Sequence, residues 1–286
     1  MRLGLRLAVV VVALFVVAAG INAQDSSVNP AAQGSAASRE LFRAPLASPT
    51  EPASMFRFAG DGQFDFGLTQ PFTIYSAEGT GTSWQFGLRP SIVSRFQTRD
   101  TQLLLKSADF RLGIPVAFRR GNWSARVELY HLSSHRGADF AAVNSAANFS
   151  YSREVVQTLI AYGRPDHWRI YAGPSVTLRT RPAVGRMSLQ AGSEWFPKSL
   201  AKPRARFYLA EDFETRQEVD WRLNTSVQPG VLFTSRNSEP IARLAGWIYR
   251  GQTPFGQFFR ERETIGGFQF ILELRPAIRS LVTRTR

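Results

Sequence analysis

Residues 84–97 read WQFGLRPSIVSRFQ, and their alternation decides the fold. Trp84, Phe86, Leu88, Pro90, Ile92 and Phe96 share one face, while Gln85, Arg89, Ser91, Arg95 and Gln97 share the other. Successive side chains of a strand point to opposite sides, so a period of two held this long predicts a strand with one apolar and one polar face. The same pattern runs through 109–119 and 167–179. Similar patterns, some weaker, lie at about 55–66, 72–78, 123–134, 151–162, 186–196, 204–213, 220–234, 240–250 and 265–275. No stretch holds a helical period beyond two turns. The expectation is an all-β fold of about twelve strands.

The connections alternate as well. Those at 79–83, 119–122, 163–166 and 235–239 are short, whereas 135–150 and 251–264 are long. Short turns at one end and longer loops at the other describe a single antiparallel transmembrane β-barrel of outer-membrane type, with both termini on the periplasmic side. A soluble barrel or sandwich would turn the apolar face inward. The interior of a twelve-stranded barrel is too wide for Ala, Leu and Val to fill. Moreover Trp84, Trp123, Trp168 and Trp195 all lie on the apolar face beside short turns, as an aromatic girdle at a membrane interface requires.

The chain has 35 basic residues, only three of them lysines, against 22 acids, and a formal net charge of +13. It has no cysteine, which excludes disulfides and thiolate metal sites. Arg2 and Arg6 precede an apolar run from Leu7 to Ala19, and small residues come next, the layout of a secretory signal ending near Ala23. Export argues against a nucleic-acid partner. It makes outer-membrane lipids and the outer-membrane assembly machinery the expected partners, with the outer membrane of a Gram-negative-type bacterium as the destination. The expected organisation is a signal peptide at 1–23 and a flexible periplasmic leader at 24–54, with Leu41–Leu46 as the part that could order. The barrel occupies 55–275 and a C-terminal tail 276–286. Oligomeric state is not readable.

With the apolar face toward lipid, Arg89, Arg95, Arg111, Arg126, Arg169, Arg204 and Arg206 point into the lumen, among Glu128, Tyr171 and Glu194. The first reading of function is a non-enzymatic barrel whose Arg/Glu/Tyr network plugs the lumen. An alternative is a narrow pore for anionic solutes.

A third reading comes from residues 130–140, YHLSSHRGADF. Strand parity puts His131 and Ser133 on the lipid-facing row at the long-loop end, with Ser134 toward the lumen and His135 in the loop. Side chains two apart on a strand project side by side, so the histidine could act as general base for the serine. Asn148, across the loop, could orient the imidazole, and Asn144 competes for that role.

An outward His-x-Ser with an Asn across the next loop resembles the outer-membrane phospholipase A family, itself a twelve-stranded barrel. A related His-x-Ser occurs in outer-membrane lipid A deacylases. The resemblance implies lipid acyl hydrolysis by Ser133, His131 and Asn148, with no cofactor other than Ca²⁺ as a candidate for stabilising the oxyanion. The phospholipase motif continues Asn-Gly after the serine, whereas Ser134 and His135 stand here. A broader resemblance runs through LFRAPLASP (41–49), residues 108–140 and NFSYSREVVQTLIAYG (148–163). On those residues the chain is similar to a family of uncharacterised bacterial outer-membrane proteins carrying a domain of unknown function.

Overall fold

The computed structural model describes residues 40–79, 81–99, 101–143, 149–164, 166–200, 204–236, 239–274 and 277–282. The expected signal peptide, the leader up to residue 39, Asn144 and Asn148 lie outside them. The strands are β1 (Ser54–Ala59), β2 (Gln63–Thr69), β3 (Phe72–Gly79), β4 (Thr82–Arg99), β5 (Gln102–Arg120), β6 (Trp123–Arg136) and β7 (Tyr151–Arg164). They continue with β8 (Trp168–Arg181), β9 (Met187–Trp195), β10 (Ala205–Arg216), β11 (Leu223–Thr234), β12 (Pro240–Gln252), β13 (Arg262–Leu272) and β14 (Ala277–Val282).

From β5 to β13 each strand pairs antiparallel with the next, β13 pairs with β1, and β4 closes onto β5. Strand β4 pairs with β2 along its second half and with β3 along its first, so β2 and β3 occupy one place in the wall. The result is a closed antiparallel barrel of twelve ring positions, as the alternation predicts. The segment expected as one strand at 55–66 is instead a hairpin. Gly62, at φ 75°, takes the left-handed conformation that its tight turn needs. Within the expected C-terminal tail, β14 extends the sheet by pairing in parallel with β3.

The outward faces carry the apolar rows. Trp84, Trp123, Trp168 and Trp195 are all exposed at the short-turn end. Tyr162 bridges Trp123 and Trp168 with ring centroids 4.7 and 5.8 Å away, and Trp84 packs on Phe118 at 4.1 Å. This is the expected girdle.

The largest departure concerns residues 40–53. Rather than belonging to a flexible leader, they form an irregular segment inside the lumen. Leu41 and Phe42 pack with Ala117, Leu159, Ala161 and Tyr171. Leu46 and Ala47 pack with Phe196, Tyr208, Ala210, Leu232 and Ala245. The physical reason is room: inward alanines leave space that an apolar segment fills. Buried irregular backbone needs partners. The Leu41 N–H donates to Gln85 Oε1 at 3.2 Å, and Arg119 donates to the Leu41 carbonyl at 2.7 Å. The Leu46 N–H donates to Glu194 Oε1 at 3.0 Å, and Arg169 donates to the Arg43 carbonyl at 2.6 Å.

At the long-loop end the β12–β13 connection folds over the mouth. The Gly256 N–H donates to Asp109 Oδ2 at 2.9 Å, and the Gln257 N–H to Ser134 Oγ at 3.0 Å. A cavity of about 100 Å³ remains between this cap and the plug. A short helix α1 (Ala138–Val143) begins the β6–β7 loop.

Candidate functional site

Inside the barrel, two carboxylates share three arginines. Glu128 Oε2 lies 2.5 Å from Arg89, 3.1 Å from Arg111 and 3.4 Å from Arg126. Glu51, from the plug, accepts both terminal nitrogens of Arg126 at 3.0 and 2.8 Å and also contacts Arg89. Gly113 makes this possible, because a Cβ there would overlap the Glu128 carboxylate. Glu194 is held by Arg169 at 2.5 Å and by the plug's Arg43 at 2.7 Å. Arg95 binds Asp65 at 2.7 Å and Glu263 at 2.7 Å. Five expected lumen arginines therefore point inward, each on a carboxylate. Arg204 is corrected: it precedes β10 and is exposed in the turn, which frees its side chain from the parity of the adjoining strand. Arg206 keeps the inward parity of Tyr208 and Ala210 but stands at the short-turn rim, half-buried over the Phe196 ring at 4.9 Å and donating to the Asp166 carbonyl.

Outside the barrel, β6 holds His131 and Ser133 on the lipid-facing row, as parity requires, with Ser134 buried toward the lumen. His135 is not in the loop, since β6 extends to Arg136 and carries it outward against Phe110, ring centroids 5.8 Å apart. Trp123 marks the girdle on the same strand. Eight residues at about 3.4 Å, tilted about 40°, put His131 roughly 20 Å above it, and Ser133 near the far edge of a band about 25 Å tall.

The residue that sequence reasoning missed is Glu154. It stands directly across from His131 on β7, and His131 Nδ1 lies 3.2 Å from Glu154 Oε1. An ionised carboxylate only accepts, so Nδ1 carries the proton and Nε2 is left as the basic nitrogen. The second oxygen of Glu154 has no hydrogen-bond partner among the described residues. Ser133 faces Phe110 on β5 and Ser152 on β7. Leu112, Ile114 and Leu129 continue the outward surface toward the girdle as exposed apolar side chains. The signal for Glu154 was available: counting back symmetrically from the long connection expected at 135–150 pairs it with His131.

The comparisons come to the same architecture. A family profile described as "Protein of unknown function (DUF1207)" matches residues 35–272, which include the plug and end with β13. No curated protein matches the chain by sequence. Outer membrane phospholipase A from Escherichia coli is similar in structure, with a TM-score of 0.54 at 13% identity over 84% of this chain and 96% of that one. The Salmonella typhi outer membrane phospholipase dimer with bound calcium gives 0.52 at 12% identity, over 83% and 96%. An E. coli form described as an active-site mutant, with an asparagine replaced by alanine, gives 0.51 at 13%, over 84% and 96%. At these identities the likeness establishes the fold.

Proposed function

For this chain, which belongs to the DUF1207 family of proteins of unknown function, we propose a serine acyl hydrolase acting on ester lipids in the leaflet beside its wall. The observation that carries the reading is the His131–Glu154 pair on the lipid-facing surface, two residues along the strand from Ser133. Interfacial decoration accounts for a lone polar residue where a strand leaves the hydrocarbon. It gives no reason for a carboxylate held on one nitrogen of a histidine that stands two residues along the strand from a hydroxyl. That arrangement is the triad logic of nucleophile, base and orienter.

In the reaction, Ser133 Oγ attacks the ester carbonyl carbon while His131 Nε2 takes its proton. The tetrahedral intermediate collapses, the lipid alcohol leaves with the proton from His131, and the acyl group stays on Ser133. Water, deprotonated by His131, then attacks the acyl-serine; the fatty acid departs and the serine oxygen regains the proton. Glu154 stabilises the imidazolium in both halves. The acyl chain has a ready bed along Leu112, Ile114 and Leu129, so a lipid need not leave its leaflet to react.

A divalent cation is poorly served here. The described groups around Ser133 are Phe110, Ser152, His135 and, one strand beyond Ser152, Arg181, and the one adjacent carboxylate, Glu154, already has an oxygen on His131. Ca²⁺ takes about six to eight oxygens. The reading also takes the chain to be exported by its N-terminal signal, folded by the outer-membrane assembly machinery and placed in the outer membrane, with the site in the outer leaflet. A pore role is not favoured, because the plug fills the lumen and its arginines are neutralised.

The test is acyl release by the refolded protein from mixed micelles of phospholipid or lipid A, with and without Ca²⁺, comparing wild type with Ser133→Ala and His131→Ala. Release lost in both variants is the expected result. Folded wild type that releases nothing from any of these lipids, or variants that match it, would overturn the reading.

A further inference from the structure

Strand alternation predicts that Arg179 faces the lumen, in phase with Ser175 and Thr177. It does not. Val155 pairs with Thr177 and Glu154 with Arg179, so one extra residue, Leu178, sits in β8 between consecutive pairs. Such a bulge breaks the parity and re-aims the side chains beyond it. Leu178, Arg179 and Arg181 are all exposed, and Arg179 shares the outward face of Glu154, its cross-strand neighbour. Arg181 likewise shares the face of Ser152.

Two rows therefore cross the outer wall. One runs Leu112, His131, Glu154, Arg179, and the next runs Phe110, Ser133, Ser152, Arg181. Each arginine stands two strands, about 10 Å, from its partner in the catalytic pair. The two arginines are themselves about 7 Å apart at Cα and project side by side. Among the described residues neither forms an ion pair, whereas the lumen arginines of the neighbouring strands each do. An arginine on the lipid face is costly at mid-membrane and nearly without cost near the interface. This level of the wall is thus where an arginine can stand without an ion pair to the protein. The anions at that depth are the phosphates of lipid headgroups, and a guanidinium fork matches a phosphate in two bonds.

We propose that Arg179 and Arg181 form a phosphate-binding site that holds the headgroup of an anionic ester lipid with its ester group beside Ser133. The site names the substrate class of the acyl hydrolase and rests on that reading for the role of Ser133, though the binding itself does not need catalysis. The glycerol carbons between an ester and a phosphate, together with one arginine side chain, span the two-strand gap. The bulge at Leu178 is then a specificity device, because without it Arg179 would point at the plug.

The test uses the full chain as its Ser133→Ala variant, which cannot turn over, in micelles of a phosphate-free nonionic detergent. Binding of phosphatidic acid and of diacylglycerol with the same acyl chains is measured by native mass spectrometry, in three backgrounds: Arg179→Gln/Arg181→Gln, Arg222→Gln, and neither. Heat-modifiable migration gates each sample for folding. The expected result is a preference for phosphatidic acid of about tenfold or more, lost in the double variant and kept in Arg222→Gln, an exposed arginine elsewhere on the loop side. Inorganic phosphate should displace the lipid only at concentrations far above the lipid's own. Equal binding of the two lipids, a preference that survives the double variant, or displacement by low inorganic phosphate would each overturn the headgroup site. Failure of the hydrolase reading would look different: the preference would stay intact while Ser133-containing protein released no fatty acid.

Discussion

The two faces of one wall handle charge in opposite ways. On the inner face of β4, β5, β6 and β8, Arg89, Arg111, Arg126 and Arg169 are buried and locked on Glu51, Glu128 and Glu194. On the outer face of β6, β7 and β8, His131 and Glu154 pair at 3.2 Å in a half-exposed setting, and Arg179 and Arg181 are exposed and form no ion pair among the described residues. The second set is open at the outer surface, and the first is buried. Charges that satisfy one another hold the plug in place. Charges left open at the lipid interface are the ones available for chemistry.

If that division is right, variants on the two faces should fail in different ways. The largest effect is expected from Ser133→Ala, which should lower the rate of acyl release by about 10³-fold or more and move stability by no more than about 0.5 kcal/mol. Initial rates and the thermal midpoint of gel-shift migration would show whether activity and stability separate. Next comes Glu51→Ala, which leaves Arg89 and Arg126 buried beside a missing carboxylate. It should cost about 3–5 kcal/mol in denaturant unfolding while the folded fraction keeps its specific activity. Glu154→Val should lower kcat by about a hundredfold with little change in unfolding midpoint, and Glu154→Asn, which keeps an acceptor oxygen, should retain the larger share. The smallest effect is Gly113→Ala, where the new methyl displaces the Glu128 carboxylate. About 1–3 kcal/mol of stability should be lost, read again from the unfolding midpoint. A Gly113→Ala protein with impaired acyl release at full folding would blur the division between faces.

Much of the barrel was legible in the sequence, for a specific reason. In 84–97 most residues share the character of the neighbour two along, Ser94 and Val93 being exceptions, so parity assigns faces, and the exposed Trp84, Trp123, Trp168 and Trp195 agree on which face is the outer one. His131, Ser133 and five lumen arginines come from the same parity. Three features did not. Residues 40–53 have no period, and their burial depends on cavities left by Ala117, Ala161, Ala210 and Ala245 on strands far away in sequence. Leu178 looks like one more apolar residue in β8; only its pairing with β7 reveals a bulge. Glu154 acquires meaning from the residue opposite it, and register is a property of two strands, not one. Asn148, which the His-x-Ser resemblance suggested as orienter, lies outside the described residues, and Glu154 holds the position beside His131.

The central claim is that Ser133 is an activated nucleophile on the lipid-facing wall. A fluorophosphonate probe tests it without any knowledge of the substrate. The refolded full chain would be treated with the probe in micelles, and the modified residue located by peptide mass spectrometry, in wild type and in His131→Ala. The account expects a covalent adduct on Ser133 in wild type that is lost when His131 is removed. No adduct on verified-folded wild type, or labelling of Ser133 that is indifferent to His131, would contradict it.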